Sequence, residues 1–471
     1  MLDTLQYPAA TAAVTTVVAV VGVVAGGSMF YLLVLLCAAA LRRTQRSGHK
    51  SPEVAIPGSP TEISSIENGT LVERIAVVIP AHNEEMVLAA TLKSLQAQEY
   101  PSDRYRVVVV ADNCTDSTSA IACEHDAVVL ERNDTSKRGK GYALEWAFER
   151  LLGPNSPVDR AGDPVTLFAI VDADTWVAPD FLRIMTERVQ EETTRSRNGR
   201  PVALQGRYGV LNPETGWRAA LMTAAFDLFN HVKPMGADLL GLTVGLKGNG
   251  MVFQRAVLEQ ARWQGSSITE DIDYGLDLLQ NHGIRIGYVP EARVLAQMPE
   301  TAEQAASQRE RWERGRYRLI RERAPRLFSQ GLAKGDVRLS LAALDLSIPP
   351  LAELAGLIAL WGLLIGAGLL IGSLAAPVFW SIAFGLAAVG MVVYVFGGLR
   401  VAGAVPEAYQ ALLFAPVYIA WKFALYALGS ITRKFGTAVQ NADGAEEWVR
   451  TARIPVSATM PSPASSRTDE H

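Results

Sequence analysis

The chain has 471 residues, nearly half of them apolar, and a positive mean hydropathy, which exceeds what one ordinary soluble domain needs. A net charge of −4 excludes a global basic field for nucleic acid, so any phosphate must be met by local Arg and Lys. Three cysteines (Cys37, Cys114 and Cys123) with no CxxC pair argue against a disulfide framework and suit a reducing cytosol.

No charge lies between Asp3 and Arg42. That run exceeds the ~20 residues needed to cross a bilayer. A cleaved signal peptide fits poorly, because the stretch lacks a basic start and is too long. Arg42, Arg43, Arg46 and Lys50 follow, which predicts an outside N-terminus and a cytoplasmic domain after it. Residues 1–43 are therefore expected to form a transmembrane helix. Residues 44–73, rich in Ser, Pro, Gly and Glu, read as a linker.

From Arg74 onward strands and helices alternate. Ile75–Ile79 is an apolar strand stopped by Pro80, and Glu84–Gln98 an amphipathic helix. Val107–Ala111 is a buried strand ended by Asp112-Asn113. Thr115–His125 is helical, Ala127–Leu130 a strand, Tyr142–Leu152 a helix and Thr166–Val171 a strand. Continuous Val/Ile strands alternating with helices predict an α/β fold with a parallel sheet covered on both faces. Ligands of such sheets lie beyond the C-terminal strand ends, where Pro80, Asp112 and Asp172 fall. This cytoplasmic domain is expected to span 74–335.

A second uncharged run, Leu354–Leu399, can hold two crossings with a turn from Gly372-Ser373 to Pro377. A third stretch, Ala408–Thr432, is interrupted by Pro416 and Lys422. A charge at a helix centre is costly in lipid, so this stretch reads as interfacial or re-entrant. Were it to cross, Arg433 and Lys434 would lie outside, against the charge rule. Residues 336–434 thus form a C-terminal membrane region. Residues 435–471, rich in Pro, Ser and Thr beyond Arg453, form a cytoplasmic and partly disordered tail.

Several residues can carry chemistry. Asp172 and Asp174 sit one residue apart at a strand end and face the same way in extended chain. Two such carboxylates can hold Mg²⁺ or Mn²⁺, although Asp-x-Asp is also a common solvated turn. Asp112 can accept hydrogen bonds from a base or a ribose. Pro80-Ala81-His82-Asn83-Glu84-Glu85 reads both as a nucleoside-binding loop and as a helix start. Lys140, within Arg138-Gly139-Lys140-Gly141, can bring a cation to a diphosphate, or be a plain basic turn. Glu270 or Asp271 can be a general base; an acidic helix N-terminus capped by Thr269 is the other reading. Gln308, Arg311 and Trp312 share one helix face, offering a hydrogen bond, a diphosphate clamp and a platform for a sugar ring. The Arg run around them, through Arg316 and Arg323, also suits an interfacial helix on anionic lipid.

Together these residues resemble the membrane-bound, processive members of glycosyltransferase family 2, such as cellulose, chitin, hyaluronan and poly-N-acetylglucosamine synthases. The resemblance covers Ile75 to Trp312 and the flanking membrane segments. It rests on three acidic motifs followed by Gln308-Arg309-Glu310-Arg311-Trp312, with Thr269-Glu270-Asp271 between. It implies a GT-A, Rossmann-like nucleotide-sugar-transferase fold, a divalent metal, a UDP-sugar donor and inversion at the anomeric carbon. By motif, Asp112 and Glu84 would contact the nucleoside, and Asp174 would ligate the metal with Asp172 organising the diphosphate. Asp271 would be the base, Arg311 would hold the diphosphate, and Trp312 the acceptor sugar. Gly248-Asn249-Gly250 resembles an acceptor-side loop, and Trp448–Arg453 a late element that can cover the site.

Two departures stand out. Ala111 precedes Asp112 where the family often has a second acid, and two late crossings are few for a polymer channel, leaving room for an export partner. The sequence thus predicts a multi-pass cell-membrane enzyme that extends a polysaccharide or glycan, or adds one sugar to a lipid carrier. The intact motifs argue against a non-catalytic, sugar-nucleotide-binding partner subunit.

Overall fold

The computed structural model describes residues 8–47, 66–67, 70–71, 73–196, 199–267, 269–298 and 302–424. Side chains are described for these except 8, 45–47, 66–67, 70–71 and 302–312. The Trp448 element, the tail and the end of the Ala408–Thr432 stretch lie outside the described residues.

The chain opens with a 40-residue helix, α1 (Pro8–Ser47). A two-stranded antiparallel pair follows, β1 (Ile66–Glu67) and β2 (Thr70–Leu71). The main sheet-bearing unit then begins with β3 (Ile75–Ala81), α2 (Leu88–Gln96), β4 (Tyr105–Asp112), α3 (Thr118–Glu124), β5 (Val128–Arg132) and α4 (Lys140–Leu151). It continues through β6 (Leu167–Ile170), β7 (Thr175–Val177), α5 (Phe181–Arg195), β8 (Ala203–Val210) and α6 (Trp217–Phe226). A π-helical turn, Asp227–Val232, leads into α7 (Lys233–Leu239), β9 (Met251–Gln254), α8 (Arg255–Gln260), α9 (Glu270–His282) and β10 (Ile286–Ala296). The remaining helices are α10 (Ala302–Lys334), α11 (Val337–Ser347), α12 (Leu351–Leu370), α13 (Pro377–Ala402) and α14 (Pro406–Ala411).

Eight strands form one sheet in the order β5-β4-β3-β6-β9-β8-β10-β7. The parallel sheet expected from the sequence is present in β5-β4-β3-β6. Beyond β6 it becomes mixed: β9 runs antiparallel to β6 and β8, and β7 antiparallel to β10. Buried apolar runs specify strands but carry no direction, and the Gly248–Gly250 loop brings the chain back alongside β6.

Alternation along the central strands builds two cores. Ala76, Val78, Val108, Val110, Phe168 and Ile170 face one way; Ile75, Val77, Ile79, Val109, Leu167 and Ala169 face the other. The first core is continuous with Met29 and Leu35 of α1, Trp361 of α12 and Tyr394 of α13. One face of this sheet is thereby tied to the apolar helices.

The strand expected to stop at Pro80 runs through it to Ala81, with Pro80 in register with Val110. Pro80 faces the β6 side, where the ladder has ended at Val78, so its missing N–H costs no sheet bond. The following helix starts at Leu88 rather than Glu84, because Asn83 adopts a left-handed conformation (φ 54°) and the Glu84 N–H donates to Thr118 Oγ1 at 2.8 Å.

Three helices among the described residues are long and apolar enough to cross a membrane: α1, α12 and α13. At ~1.5 Å per residue α1 is about 60 Å long, roughly twice the hydrocarbon thickness. Its last turns dock on the sheet-bearing unit, where buried Arg42 pairs with Asp238 at 2.7 Å. Glycines let the helices approach. A Cβ on Gly22 would stand 2.6 Å from the Trp361 ring, and one on Gly236 of α7 would stand 2.1 Å from the Leu35 carbonyl.

Candidate active site

The first three strand ends form a laced rim. Asn113 ends β4 with φ 51°, a left-handed turn that Asn tolerates well. Its side chain accepts from Asp134 N at 2.9 Å and donates to Asp134 O at 3.1 Å. Asn83 accepts from Thr115 N at 2.8 Å, so the loops after β3, β4 and β5 hold one another. Asp112 is buried in this rim, its carboxylate paired with Arg132 Nη1 at 2.5 Å and accepting from Asn113 Nδ2 at 2.9 Å. Burial raises the Asp112 pKa, and Arg132 opposes that rise. Glu84 is buried beside it on the same rim, one turn past Pro80. Sequence reasoning missed Arg132; the only local signal was a basic residue closing the apolar Val128–Leu130 run.

Gly139-Lys140 joins this rim to the β6 end. The Gly139 backbone N–H favours the charged form of the Asp112 carboxylate. The next residue, Lys140, starts α4 and ion-pairs with the Asp172 carboxylate. The same ammonium donates to the Gly248 carbonyl at 2.6 Å.

Asp172 follows β6 in a stretch where Val171, Ala173 and Thr175 are buried while Asp172 and Asp174 are half-exposed. Its position is fixed from across the sheet. Gly250 N donates to Ile170 O at 2.9 Å, and Asp172 N donates to Asn249 Oδ1 at 3.2 Å. Asn249 is fully buried and its amide nitrogen donates to Thr175 Oγ1 at 2.8 Å. Both ends of this amide, expected on the acceptor side, are thus committed to clamping the Asp172 turn.

Glu270 and Asp271 occupy the first turn of α9, where the helix dipole favours negative charge. Gly141 packs directly on Gly265 in the preceding loop, which brings α4 against this turn. Gly248, at φ 75°, lies between Lys140 and Asp271. A Cβ there would stand 3.2 Å from Asp271 Oδ2 and 3.4 Å from Lys140 Nζ. Burial, then repulsion from Asp271, pushes Glu270 up to about 8, and burial raises Asp271 too. Burial works against the Lys140 charge, but Asp172, Glu270 and Asp271 outweigh it and raise the pKa. A half-buried cation thus pairs with Asp172 and feels Glu270 and Asp271 within one pocket.

The structure therefore brings Lys140, Asp172, Asn249, Glu270 and Asp271 to one place, with Asp112 linked through Gly139. Gln308, Arg311 and Trp312 fall on α10, in the helix the spacing predicts, and their side chains lie outside the described residues. Further along α10, a Cβ on Gly315 would stand 2.4 Å from Thr269 Cγ2, so the helix abuts the acid pair.

Comparison with known proteins places this geometry. Residues 73–315 match the family described as "Glycosyltransferase like family 2". The beta-monoglucosyldiacylglycerol synthase of Nostoc sp. is 28% identical over 250 residues, 52% of this chain and 49% of that protein. The hyaluronan synthase of Streptococcus pyogenes is 26% identical over 262 residues, 52% of this chain and 57% of that protein. The chain thus spans about half the length of these curated relatives. Among solved structures, the mannosyltransferase PcManGT from Pyrobaculum calidifontis, in complex with GDP-Man and Mn²⁺, covers 79% of this chain and 99% of its own, with 17% identity and a TM-score of 0.41. The matched segment begins just before β3 and ends at Gly315, so it contains every strand of the mixed sheet and both halves of the acid-lined pocket: the chain belongs to glycosyltransferase family 2, enzymes of GT-A fold that act with nucleotide sugars.

Proposed function

We propose that this protein is an inverting membrane β-glycosyltransferase that moves a sugar from a UDP-sugar to a hydroxyl of a glycan or a lipid-linked acceptor. The observation that carries the reading is the convergence of Asp172, Lys140, Gly248 and Asp271. Asp271 takes the acceptor proton as the oxygen forms its bond to the anomeric carbon. The bond to the diphosphate breaks on the opposite side of that carbon, its electron pair leaves with the diphosphate, and configuration inverts. Lys140 meets the charge growing on that leaving group. Asp112 and Glu84, on the rim shaped by Pro80, hold the nucleoside. Arg311 holds the diphosphate, while Gln308 and Trp312 meet the acceptor.

Asp172 and Asp174 fit a hard divalent cation, Mg²⁺ or Mn²⁺. They are half-exposed carboxylates on one turn, and no cluster of three or more His, Cys, Asp or Glu surrounds them among the described residues. Diphosphate oxygens would complete such a shell. When bound, the ion supplies charge neutralisation on the diphosphate.

Two relatives' names point to two product classes, a glycolipid and a polysaccharide, and so to a lipid or a glycan as acceptor. The lipid reading gains from the sheet core being continuous with α1, α12 and α13, which sets the pocket beside the membrane helices. The catalytic unit, 74–335, lies on the cytoplasmic side of a cell membrane crossed by α1, α12 and α13. Lys422 supports that arrangement. It pairs with Glu313 of α10 at 2.8 Å and Glu353 at the start of α12 at 3.1 Å, so the third apolar stretch is anchored at the catalytic end of α12.

The test uses membranes containing the full chain, radiolabelled UDP-glucose, UDP-N-acetylglucosamine and GDP-mannose, and product sizing. Asp271→Asn should abolish transfer while UDP still binds; retained turnover refutes the assigned base. Long products identify a polymerase, and a single addition to lipid identifies the second acceptor class.

A further inference from the structure

We propose that Lys233, Lys247 and Arg316 form, around the Phe229 ring, a subsite for the phosphate of a lipid-borne acceptor. This rests on the glycosyltransferase reading and names the acceptor class of that same site.

Three cations surround one half-exposed aromatic ring. Lys247 Nζ lies 4.3 Å from the Phe229 ring centre, Lys233 Nζ 4.6 Å, and the Arg316 guanidinium 5.9 Å. They come from separate elements: Lys247 from the loop leading to Gly248, Lys233 from the start of α7, and Arg316 from α10. Local chain geometry alone did not bring them together. Like charges so placed repel, and only Lys233 has a carboxylate partner, Asp345 at 2.9 Å. Among the described residues neither Lys247 nor Arg316 pairs with an acid. Arg316 donates one long bond, to Leu346 O at 3.3 Å, and its Nε is buried without an acceptor. Burial, with Lys233 nearby, pushes Lys247 down to about 7. Asp345, Asp271 and Glu353 offset part of this positive charge, but neither Lys247 nor Arg316 is ion-paired to them, so a bound anion can bridge the cations, and Phe229 adds a flat apolar surface beside it.

Position identifies the anion's carrier. Lys247 precedes Gly248, which touches Asp271, and Arg316 follows Gly315, which touches Thr269. The cage therefore adjoins the acid pair. On its other side the Phe229 segment packs on apolar helices: Leu228 fills the space over Gly398 of α13, and Leu228 O accepts from Tyr394. Asp345, the partner of Lys233, also accepts from Tyr31 of α1 at 3.0 Å. A ligand bridging this place has an apolar part toward α1 and α13 and an anionic group at the cage, beside the acid pair. A phosphate attached to a lipid chain meets those requirements, and phosphate is well matched to an Arg and two Lys.

The test measures binding to the full chain in neutral detergent by calorimetry. The probes are farnesyl phosphate, farnesol, inorganic phosphate and UDP. Farnesyl phosphate should bind, and farnesol and inorganic phosphate should bind at least tenfold more weakly. Lys247→Met and Arg316→Gln should each weaken farnesyl phosphate about tenfold, the scale of one charge-assisted contact, while UDP affinity stays unchanged. Arg316→Lys should recover part of the loss. Unchanged UDP binding reports that each variant is folded, and Lys247→Met carries the test should Arg316→Gln not fold. Equal binding of inorganic phosphate would make this a free-anion site, and equal binding of farnesol an apolar groove; either overturns the proposal. A parallel loss of UDP affinity would assign the cage to the donor and overturn it too. Intact UDP binding without farnesyl phosphate binding removes this subsite alone, whereas failure of the unaltered chain to bind UDP removes the glycosyltransferase reading.

Discussion

The Lys140 ammonium is ion-paired with the Asp172 carboxylate, and the same nitrogen reaches the Gly248 carbonyl beside Asp271. One side chain thus ties the proposed metal and diphosphate end of the pocket to the proposed base. An arriving diphosphate would bring its negative charge to the Lys140 ammonium, while Asp172 would help hold a divalent ion that offsets that charge. Lys140→Met should lower kcat by about 100-fold, the usual scale for removing one preorganised charge donor. Lys140→Arg should recover part of it. Radiolabel transfer at saturating UDP-sugar measures the effect; a variant that changes only KM would show that Lys140 binds substrate without assisting departure of the diphosphate.

The acid pair makes both stability and rate depend on pH. Glu270 is lifted to about 8 from an ordinary 4.5, first by burial and then by Asp271. A carboxyl whose folded pKa lies above its unfolded value contributes stability in its protonated form. That contribution is whole below pH 4.5 and is lost as pH rises through 8. Glu270→Gln should therefore flatten the fall of Tm between pH 5 and 8, with the largest gain over the parent at pH 8. Below that pH Glu270 is neutral, so Glu270→Gln removes no charge from beside Asp271 and the rising limb of the rate profile should stay in place. A limb that moves to lower pH in Glu270→Gln would show that Glu270 carries its charge beside the base.

Asp112 and Arg132 offer a test of the nucleoside rim. Their side chains are 7% and 4% exposed, so removing one partner strands a buried charge. Arg132→Met should destabilise the protein by about 3 kcal/mol, the scale for breaking a buried pair. Asp112→Asn should cost less, because the amide oxygen still accepts from Asn113 and Arg132 keeps Asp134 as a partner. The double variant should be more stable than Arg132→Met alone. Thermal unfolding in detergent reads the stability, and calorimetry with UDP reads the rim. If Asp112→Asn leaves UDP affinity unchanged, Asp112 is a structural acid and not a nucleoside contact.

Asp112, Asp172, Lys140 and Asp271 were legible because each closes or opens a regular element, and strand-end and helix-start signals are local. Arg132 and Lys247 were not. Arg132 acts through a partner on the neighbouring strand, and Lys247 through a cage built from three distant elements. Sheet direction escaped for a related reason: the β9 return depends on the Gly248–Gly250 loop, and the apolar run Met251–Phe253 reads alike in either sense. Arg42 read as a topology charge, yet the structure also uses it as a buried pin to Asp238, a role set by the packing of α1 on α7. Asn249 was legible as part of a special loop, but its bonds to the Asp172 turn appear only across the sheet.

The joint between α1 and α7 can be separated from ordinary helix propensity. Gly→Ala inside a helix usually stabilises by about 1 kcal/mol. Gly27 of α1 has nothing within 4 Å of an added Cβ, so Gly27→Ala should show that gain or no change. At Gly236 the same methyl would stand 2.1 Å from the Leu35 carbonyl oxygen, and a main-chain atom of a packed helix has no rotamer through which to move aside. Gly236→Ala should therefore destabilise by about 1–3 kcal/mol, the range for overpacking, despite its better propensity. The shift should loosen α7, which begins at Lys233, against α1, while the rim around Asp112 stays intact. Transfer to a membrane acceptor should then fall about tenfold, on the scale of a ~1.4 kcal/mol change, with UDP affinity within twofold of the parent. Tm values for the two variants, measured side by side in one detergent, decide the point. A Gly236→Ala protein as stable as Gly27→Ala would mean that α1 and α7 are not in backbone contact.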